Sequence, residues 1–440
     1  MNAMTPDQPA GAARPDPRIA PRAYATPDLP PVGGVIKQRP EDFLVDEIPL
    51  YQPSGQGEHI YLLVQKRGLS TMDMVNIVAR HFKVSRGAVG YAGLKDKHAI
   101  TRQVVSVHVP GKKLDDFPML QHDQLSVLWT DMHANKLRPG HLKGNRFSIR
   151  IRDVKPTDVV IANKVLQRLV TTGVPNRVGE QRFGMLENNH LVGRHMIAGD
   201  YDAAVRELLG PNERFPQYNT DARRLFLEGR FKEAIQLYPP GARTEMIVLN
   251  ALSKGNRPKY AMMALDEPVL RYYLSAFQSA VFNAVLDDRL ERGEFSKLVP
   301  GDVAVKHANG AAFAVTDEIA ADPTTAQRLA TFEISPSGPM WGGGMLRAQG
   351  EVAQRELAAL TPYQITEEHL AAFDMHSRGS LDGKRRPLRV PLTDPEVEGG
   401  VDEHGAYIRC AFELPRGSFA TVVLREIMKP ASNLSLPDDE

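Results

Sequence analysis

The chain has 440 residues, 54 Lys and Arg against 53 Asp and Glu, a formal net charge of +1, and one cysteine, Cys410. At about 100–200 residues per domain, this length implies two or three domains, each able to bury a core. A single thiol excludes a disulfide scaffold and a CxxC zinc ribbon, and no run approaches the ~18 consecutive apolar residues of a membrane span. With no signal-peptide core at the N-terminus and so few thiols, a cytoplasmic protein without membrane attachment is expected.

Residues 1–33 hold eight prolines and little apolar bulk beyond Ile19 and Tyr24, so a disordered tail is predicted there. An extended segment over 35–47 opens the folded part. A strand follows at 59–66 (HIYLLVQK), then a helix at 71–82. Residues 100–109 and 146–154 alternate apolar and polar side chains with the period of a strand, and 157–171 places Ile161, Val165, Leu166 and Leu169 on one helical face. From 189 onward the pattern turns helical: 200–209, 221–228, 231–237, 244–252 and a long helix at 267–291. An Asn309-Gly310 turn predicts a hairpin between Val303 and Val315. Helices are expected again over 324–373. Strands at 388–391 and 406–414 and a helix after Gly417-Ser418 end the folded part, and 433–440 form a short acidic tail. An α+β pattern interrupted by a helical block and then resumed reads as one domain inserted into another.

The near-neutral total conceals segregation. Between His59 and Arg152 there are sixteen Lys and Arg and six Asp, a local net charge of +10, so the other 346 residues carry −9. Six of those cations and no acid fall between Lys136 and Arg152. Such a block reads either as a phosphate-contacting face or as a solvated basic surface.

The loop 90–100 (GYAGLKDKHAI) sets Asp96 between Lys95 and Lys97, beside His98 and directly before a strand. Flanking cations favour the ionised carboxylate, which suits a nucleophile or general base; a surface turn of mixed charge is the bland alternative. Other chemistries lack their motifs: there is no GxxxxGK[ST], HExxH or GxSxG elbow, and the thirteen His show no ligand spacing, so no metal is expected.

The string AGLKDKHA around Asp96 resembles the catalytic motif of the TruD family of tRNA pseudouridine synthases. Six further segments resemble that family's motifs in the same order: KQRPEDFLV from Lys37, GNRF from Gly144, GEQRFG from Gly179, LSAFQS from Leu274 with Phe282-Asn283, GPMWG from Gly338, and GSFAT from Gly417 running to Leu424-Arg425-Glu426. Arg177-Val178 departs from the family, which usually has an aromatic pair after Asn176.

The resemblance implies isomerisation of uridine to pseudouridine, at position 13 of tRNA, with neither cofactor nor metal and with no obligate protein partner. It implies an α+β, pseudouridine-synthase-like catalytic domain around an antiparallel sheet, formed by 34–174 plus 386–430. A mostly helical TRUD insertion would occupy 175–385, with tails at 1–33 and 431–440. Asp96 would be the nucleophile. Phe147 would stack on the flipped base, although its place on an alternating strand also fits a core residue. Asn145 would lie nearby, Lys37 would pair with Asp96, and Glu41 would hold Lys37. Lys95, Lys97, Lys136, Arg138, Lys143, Arg146 and Arg182 are the candidate RNA contacts. A non-catalytic RNA-binding protein on the same scaffold is the alternative.

Overall fold

The computed structural model describes residues 23–376 and 381–430. Its strands are β1 (Phe43–Pro49), β2 (His59–Arg67), β3 (Val89–Tyr91), β4 (Ile100–His108), β5 (Leu125–His133), β6 (Leu142–Arg152), β7 (Val174–Pro175), β8 (Val303–Lys306), β9 (Ala312–Ala314), β10 (Ile334–Met340), β11 (Lys384–Pro387), β12 (Arg389–Val390), β13 (Thr393–Asp402) and β14 (Gly405–Pro415). Eight of them build the main sheet, in the order β13-β14-β6-β1-β4-β2-β5 with β3 on β4. The expected antiparallel sheet is mixed: β1 and β4 run parallel, with Leu44 opposite Ile100 and Val45 opposite Thr101. This register matters to the site, because the segments entering β1 and β4 emerge at the same end of the sheet.

Side chains alternate between the two faces of a strand. On the inner face, Ile60, Leu62, Val64, Val105 and Val107 pack under the helix Thr71–His81 through Met74, Val75 and Val78. At the other flank, Ile149, Ile151, Ile408, Cys410 and Phe412 pack under the helices Val159–Thr172 and Ala420–Met428. Between these flanks the same face turns polar. The pairings Val64–Gln103, Lys66–Thr101, Val45–Thr101 and Glu47–Asn145 set Glu47, Lys66, Thr101, Gln103 and Asn145 on it. Two apolar patches covered by helices thus flank a polar strip at the centre of the sheet.

The outer face of β6, β13 and β14 is charged. Arg146 pairs with Glu396 (2.6 Å) and Glu413 (3.5 Å), and Arg409 pairs with Glu398 (2.9 Å). Arg152, 2% exposed, holds Asp42 and Asp402, both at 2.6 Å.

A second core surrounds the long helix Glu267–Glu291, where Phe277 and Val281 meet Val192, Leu249, Trp341 and Tyr363. Beside it lies a four-stranded sheet, β11-β10-β8-β9, whose β8–β9 pair is the hairpin expected around Asn309-Gly310. The expectation of helices throughout 324–373 is corrected by β10, which is buried along its whole length. Pro336 and Pro339 deny that segment helical hydrogen bonds, and burial on both faces removes the polar alternation that marks a strand. β7 and β12 pair antiparallel, so the chain leaves and re-enters the main-sheet region side by side.

The disordered tail expected over 1–33 is corrected for residues 23–33. Thr26 is fully buried, and its N–H and hydroxyl donate to Glu426 at 3.1 and 2.9 Å. Val32 and Gly33 donate to the carbonyls of Ile427 and Met428. Composition missed this because the segment needs no core of its own; it completes the end of the final helix. Residues 1–22 and the predicted acidic tail lie outside the described residues.

Candidate active site

The parallel register brings Lys37, which precedes β1, against Asp96, which precedes β4. Lys37 Nζ lies 3.2 Å from the Asp96 carboxylate; the lysine side chain is 1% exposed and the aspartate side chain 37%. The cation is therefore sequestered and the carboxylate is open to solvent. Lys37 adopts φ +59°, a left-handed conformation uncommon for a residue with a side chain, and its ammonium also lies 5.0 Å from the centroid of the Phe43 ring.

The loop that carries Asp96 is bonded to three elements. Thr71, at the start of its helix, accepts the Lys95 N–H at 2.9 Å. Gln103 on β4 donates to the carbonyl of Gly93 at 3.3 Å. Lys66, at the end of β2, donates to the carbonyls of Leu69 (2.6 Å), Asp96 (2.8 Å) and Lys95 (3.3 Å).

Several expected residues take other places. Lys95 is not a solvent-facing cation: it forms a buried pair with Glu47 at 2.7 Å, their side chains 4% and 1% exposed. Glu47 also accepts the Val104 N–H at 3.3 Å. Consecutive residues of the loop point in different directions, so Asp96 faces out and Lys95 faces the sheet. Glu41 does not hold Lys37; it sits on the turn Pro40–Asp42 and pairs with Arg67, with Arg39 at 3.8 Å. Arg146 projects from the outer face of β6, the side opposite Asn145 and Phe147, and its charge is met by Glu396 and Glu413. Lys136 is bound to the carbonyl of Gly87.

Phe147 lies opposite Val45 and Phe412 on the inner face, 7% exposed, in the same apolar cluster as Phe43 and Ala99. Asn145 shares that face, and its buried Oδ1 has no hydrogen-bond partner among the described residues. Lys97 is half-buried, and Arg138 and Lys143 are exposed. Arg182 stacks over Tyr272, 5.2 Å from the ring centroid, and donates to the Ser275 hydroxyl at 3.2 Å.

Near Arg182, Arg386 bonds Asn176; burial and the neighbouring Arg182 push its guanidinium down to about 10. Arg177, the residue that replaces the usual aromatic, is buried against Asp287 of the long helix, and Val178 exchanges two 3.0 Å hydrogen bonds with Asn283. An ion pair with the long helix thus stands at the divergent position.

Sequence reasoning missed Lys66, Glu47, Thr71 and Gln103. One signal was available: Lys66 continues the inward series Leu62, Val64, so strand alternation already assigned a lysine to the buried face. Burial pushes the Cys410 thiol up to about 12, which removes it from nucleophilic chemistry. Among the described residues no group of three or more His, Cys, Asp or Glu is arranged to hold a metal, and no helix is long and apolar enough to cross a membrane.

Residues 20–427 match the family model described as tRNA pseudouridine synthase D (TruD). Among similar proteins, tRNA pseudouridine synthase D of Geobacter metallireducens is 43% identical over 412 residues, covering 93% of this chain and 98% of that protein. The Thermus thermophilus protein of the same name is 35% identical over 407 residues, covering 92% of each. The crystal structure of a putative tRNA pseudouridine synthase D from Methanosarcina mazei superposes with a TM-score of 0.80 at 27% identity, covering 94% of this chain and 97% of that one.

Proposed function

This chain belongs to the TruD family of tRNA pseudouridine synthases, isomerases that act on tRNA, and from that premise we propose that Asp96 is its nucleophile, acting on the uridine at position 13. In the conversion the N1–C1′ bond breaks, the uracil turns, a C5–C1′ bond forms, the C5 proton leaves and N1 gains one. The product is an isomer of the substrate, so the overall balance needs no oxidant or reductant.

The observation that carries this reading is the asymmetric Lys37–Asp96 pair. A nucleophile must be charged, oriented and reachable. Lys37 favours the charge and holds one carboxylate oxygen from below, while the aspartate side chain keeps 37% of its surface for the substrate. The target base must leave its stack, which costs a few kcal/mol and calls for replacement contacts. Phe147 supplies an aromatic edge on the same sheet face. Asn145 supplies a buried acceptor with no partner among the described residues, which suits the N3–H donor of uracil. Arg138, Lys143 and Lys97 would meet backbone phosphates, and Arg182 would do so from the junction. In this reading 34–174 with 386–430 form the catalytic unit and 175–385 the insertion, and tRNA in the cytoplasm is the partner.

The test follows from the bond changes. Loss of the C5 proton releases tritium from tRNA labelled at uridine C5. Asp96→Ala and Asp96→Asn are expected to abolish that release while tRNA binding persists. Release at the normal rate from either variant would show that another group is the nucleophile. Binding without release by the unaltered protein would favour a non-catalytic RNA-binding role.

A further inference from the structure

Lys66 stands apart from the residues discussed so far as substrate contacts. It is the inward residue at the end of β2, fully buried, directly opposite Thr101 in the sheet. Lysine is rarely buried to this degree, because removing an ammonium from water is costly unless strong acceptors surround it. A strand end that served only to close the sheet would be filled as well by Leu or Met. Here the ammonium meets the carbonyls of Leu69, Lys95 and Asp96 at 2.6, 3.3 and 2.8 Å. Its charge-assisted bonds therefore converge on the backbone of the loop that carries Asp96, and on that residue's own carbonyl.

The remaining contacts complete a frame. Thr71 takes the N–H of Lys95, Gln103 holds the carbonyl of Gly93, and Lys37 meets the carboxylate itself. The loop is thus bonded to β2, to the first turn of a helix and to β4, all parts of the rigid sheet-and-helix layer. The backbone around Asp96 is bonded on several sides while the Asp96 carboxylate is met by Lys37.

Resting on the reading of Asp96 as nucleophile, we infer that Lys66 is a positioning residue: it anchors the Lys95–Asp96 backbone so that the carboxylate stands at the reacting nucleotide. Lys66 does not touch substrate. It acts through the backbone of the residue that does, and its loss shows in the rate of the chemical step rather than in tRNA affinity. A displacement of about 1 Å at a reacting group can cost on the order of 100-fold.

The experiment compares Lys66→Met, Thr71→Val and Asp96→Asn under single-turnover conditions with saturating enzyme, reading tritium release and, separately, the tRNA dissociation constant. Methionine is unbranched and flexible like lysine, one atom shorter, and carries no charge. Thr71→Val keeps the shape of the side chain and removes only the acceptor of the Lys95 N–H. Lys66→Met is expected to slow the chemical step by about tenfold or more with affinity held within about twofold, and Thr71→Val to slow it several-fold. A folded Lys66→Met variant with the normal rate overturns the inference, as does an affinity that falls in step with the rate. If Lys66→Met does not fold, Thr71→Val decides alone, and a normal rate there overturns the inference. Normal release in Lys66→Met alongside none in Asp96→Asn removes the role of Lys66 and leaves the nucleophile assignment standing. Normal release in Asp96→Asn removes both.

Discussion

The Lys37–Asp96 pair makes an asymmetric stability prediction. At 3.2 Å and an effective dielectric between about 20 and 80, two unit charges attract by about 1–5 kcal/mol; with the aspartate side chain 37% exposed, the lower half of that range applies. Removing one partner is not equivalent to removing the other. Lys37→Met leaves a carboxylate that water already reaches, so the cost is expected to be below about 1 kcal/mol. Asp96→Ala leaves an ammonium at 1% exposure without that carboxylate. Breaking a fully buried pair costs about 3–5 kcal/mol, and the residual contact with the Phe43 ring and the partial exposure reduce this to about 1–3 kcal/mol. The double variant should return close to Lys37→Met, giving a coupling of about 1–3 kcal/mol in a double-mutant cycle. The assay is equilibrium urea unfolding, read at the first transition. The reasoning fails if Asp96→Ala is as stable as the unaltered protein while Lys37→Met is the more damaging change.

Two further outcomes can be measured independently. Reversing the charges of the exposed Arg138 and Lys143 is expected to weaken tRNA binding and to lower the salt slope by about two, whereas Arg146→Glu, on the outer face beside Glu396 and Glu413, should leave that slope nearly unchanged. Equal losses from both changes would show that the outer face also meets RNA. His59, 8% exposed and stacked on His108, has its imidazolium disfavoured first by burial and then by the charges of His108 and Lys136. Its folded pKa lies below the unfolded value of about 6.5, so the stability it contributes is present above that pH and is lost as pH falls towards the folded value. Urea midpoints measured from pH 7.5 to 5 should fall, and His59→Phe should flatten that fall; an unchanged pH dependence in the variant would refute the assignment.

Part of the candidate site is legible in the amino-acid sequence. A carboxylate flanked by two lysines in a loop before a strand makes Asp96 a candidate, the resemblance of the surrounding string to the family motif singles it out, and strand alternation over 146–154 places Phe147 on a strand. Which partner each charged side chain meets is not legible there. Lys95 and Asp96 are adjacent and similar in polarity, yet one enters a buried pair with Glu47 and the other opens to solvent. Arg146 counts towards the basic block, but its charge is met by acids 250 and 267 residues away in sequence. The +10 between His59 and Arg152 therefore overstates the cationic surface that RNA can reach.

Local signals by themselves pointed to the strands expected at 59–66 and 100–109, observed as His59–Arg67 and Ile100–His108, to the long helix Glu267–Glu291 and, through its Asn-Gly turn, to the hairpin at Asn309-Gly310, because those signals arise from residues a few positions apart. The tertiary structure alone decided what meets across long separations. The parallel β1–β4 register joins Lys37 to Asp96, beside a buried polar strip that lies between two helix-covered apolar patches. The end of the final helix orders residues 23–33 through Thr26 and Glu426, 400 positions apart. Pairings of that kind depend on which strands become neighbours, a choice settled by the burial of whole faces and carried by no short stretch of sequence.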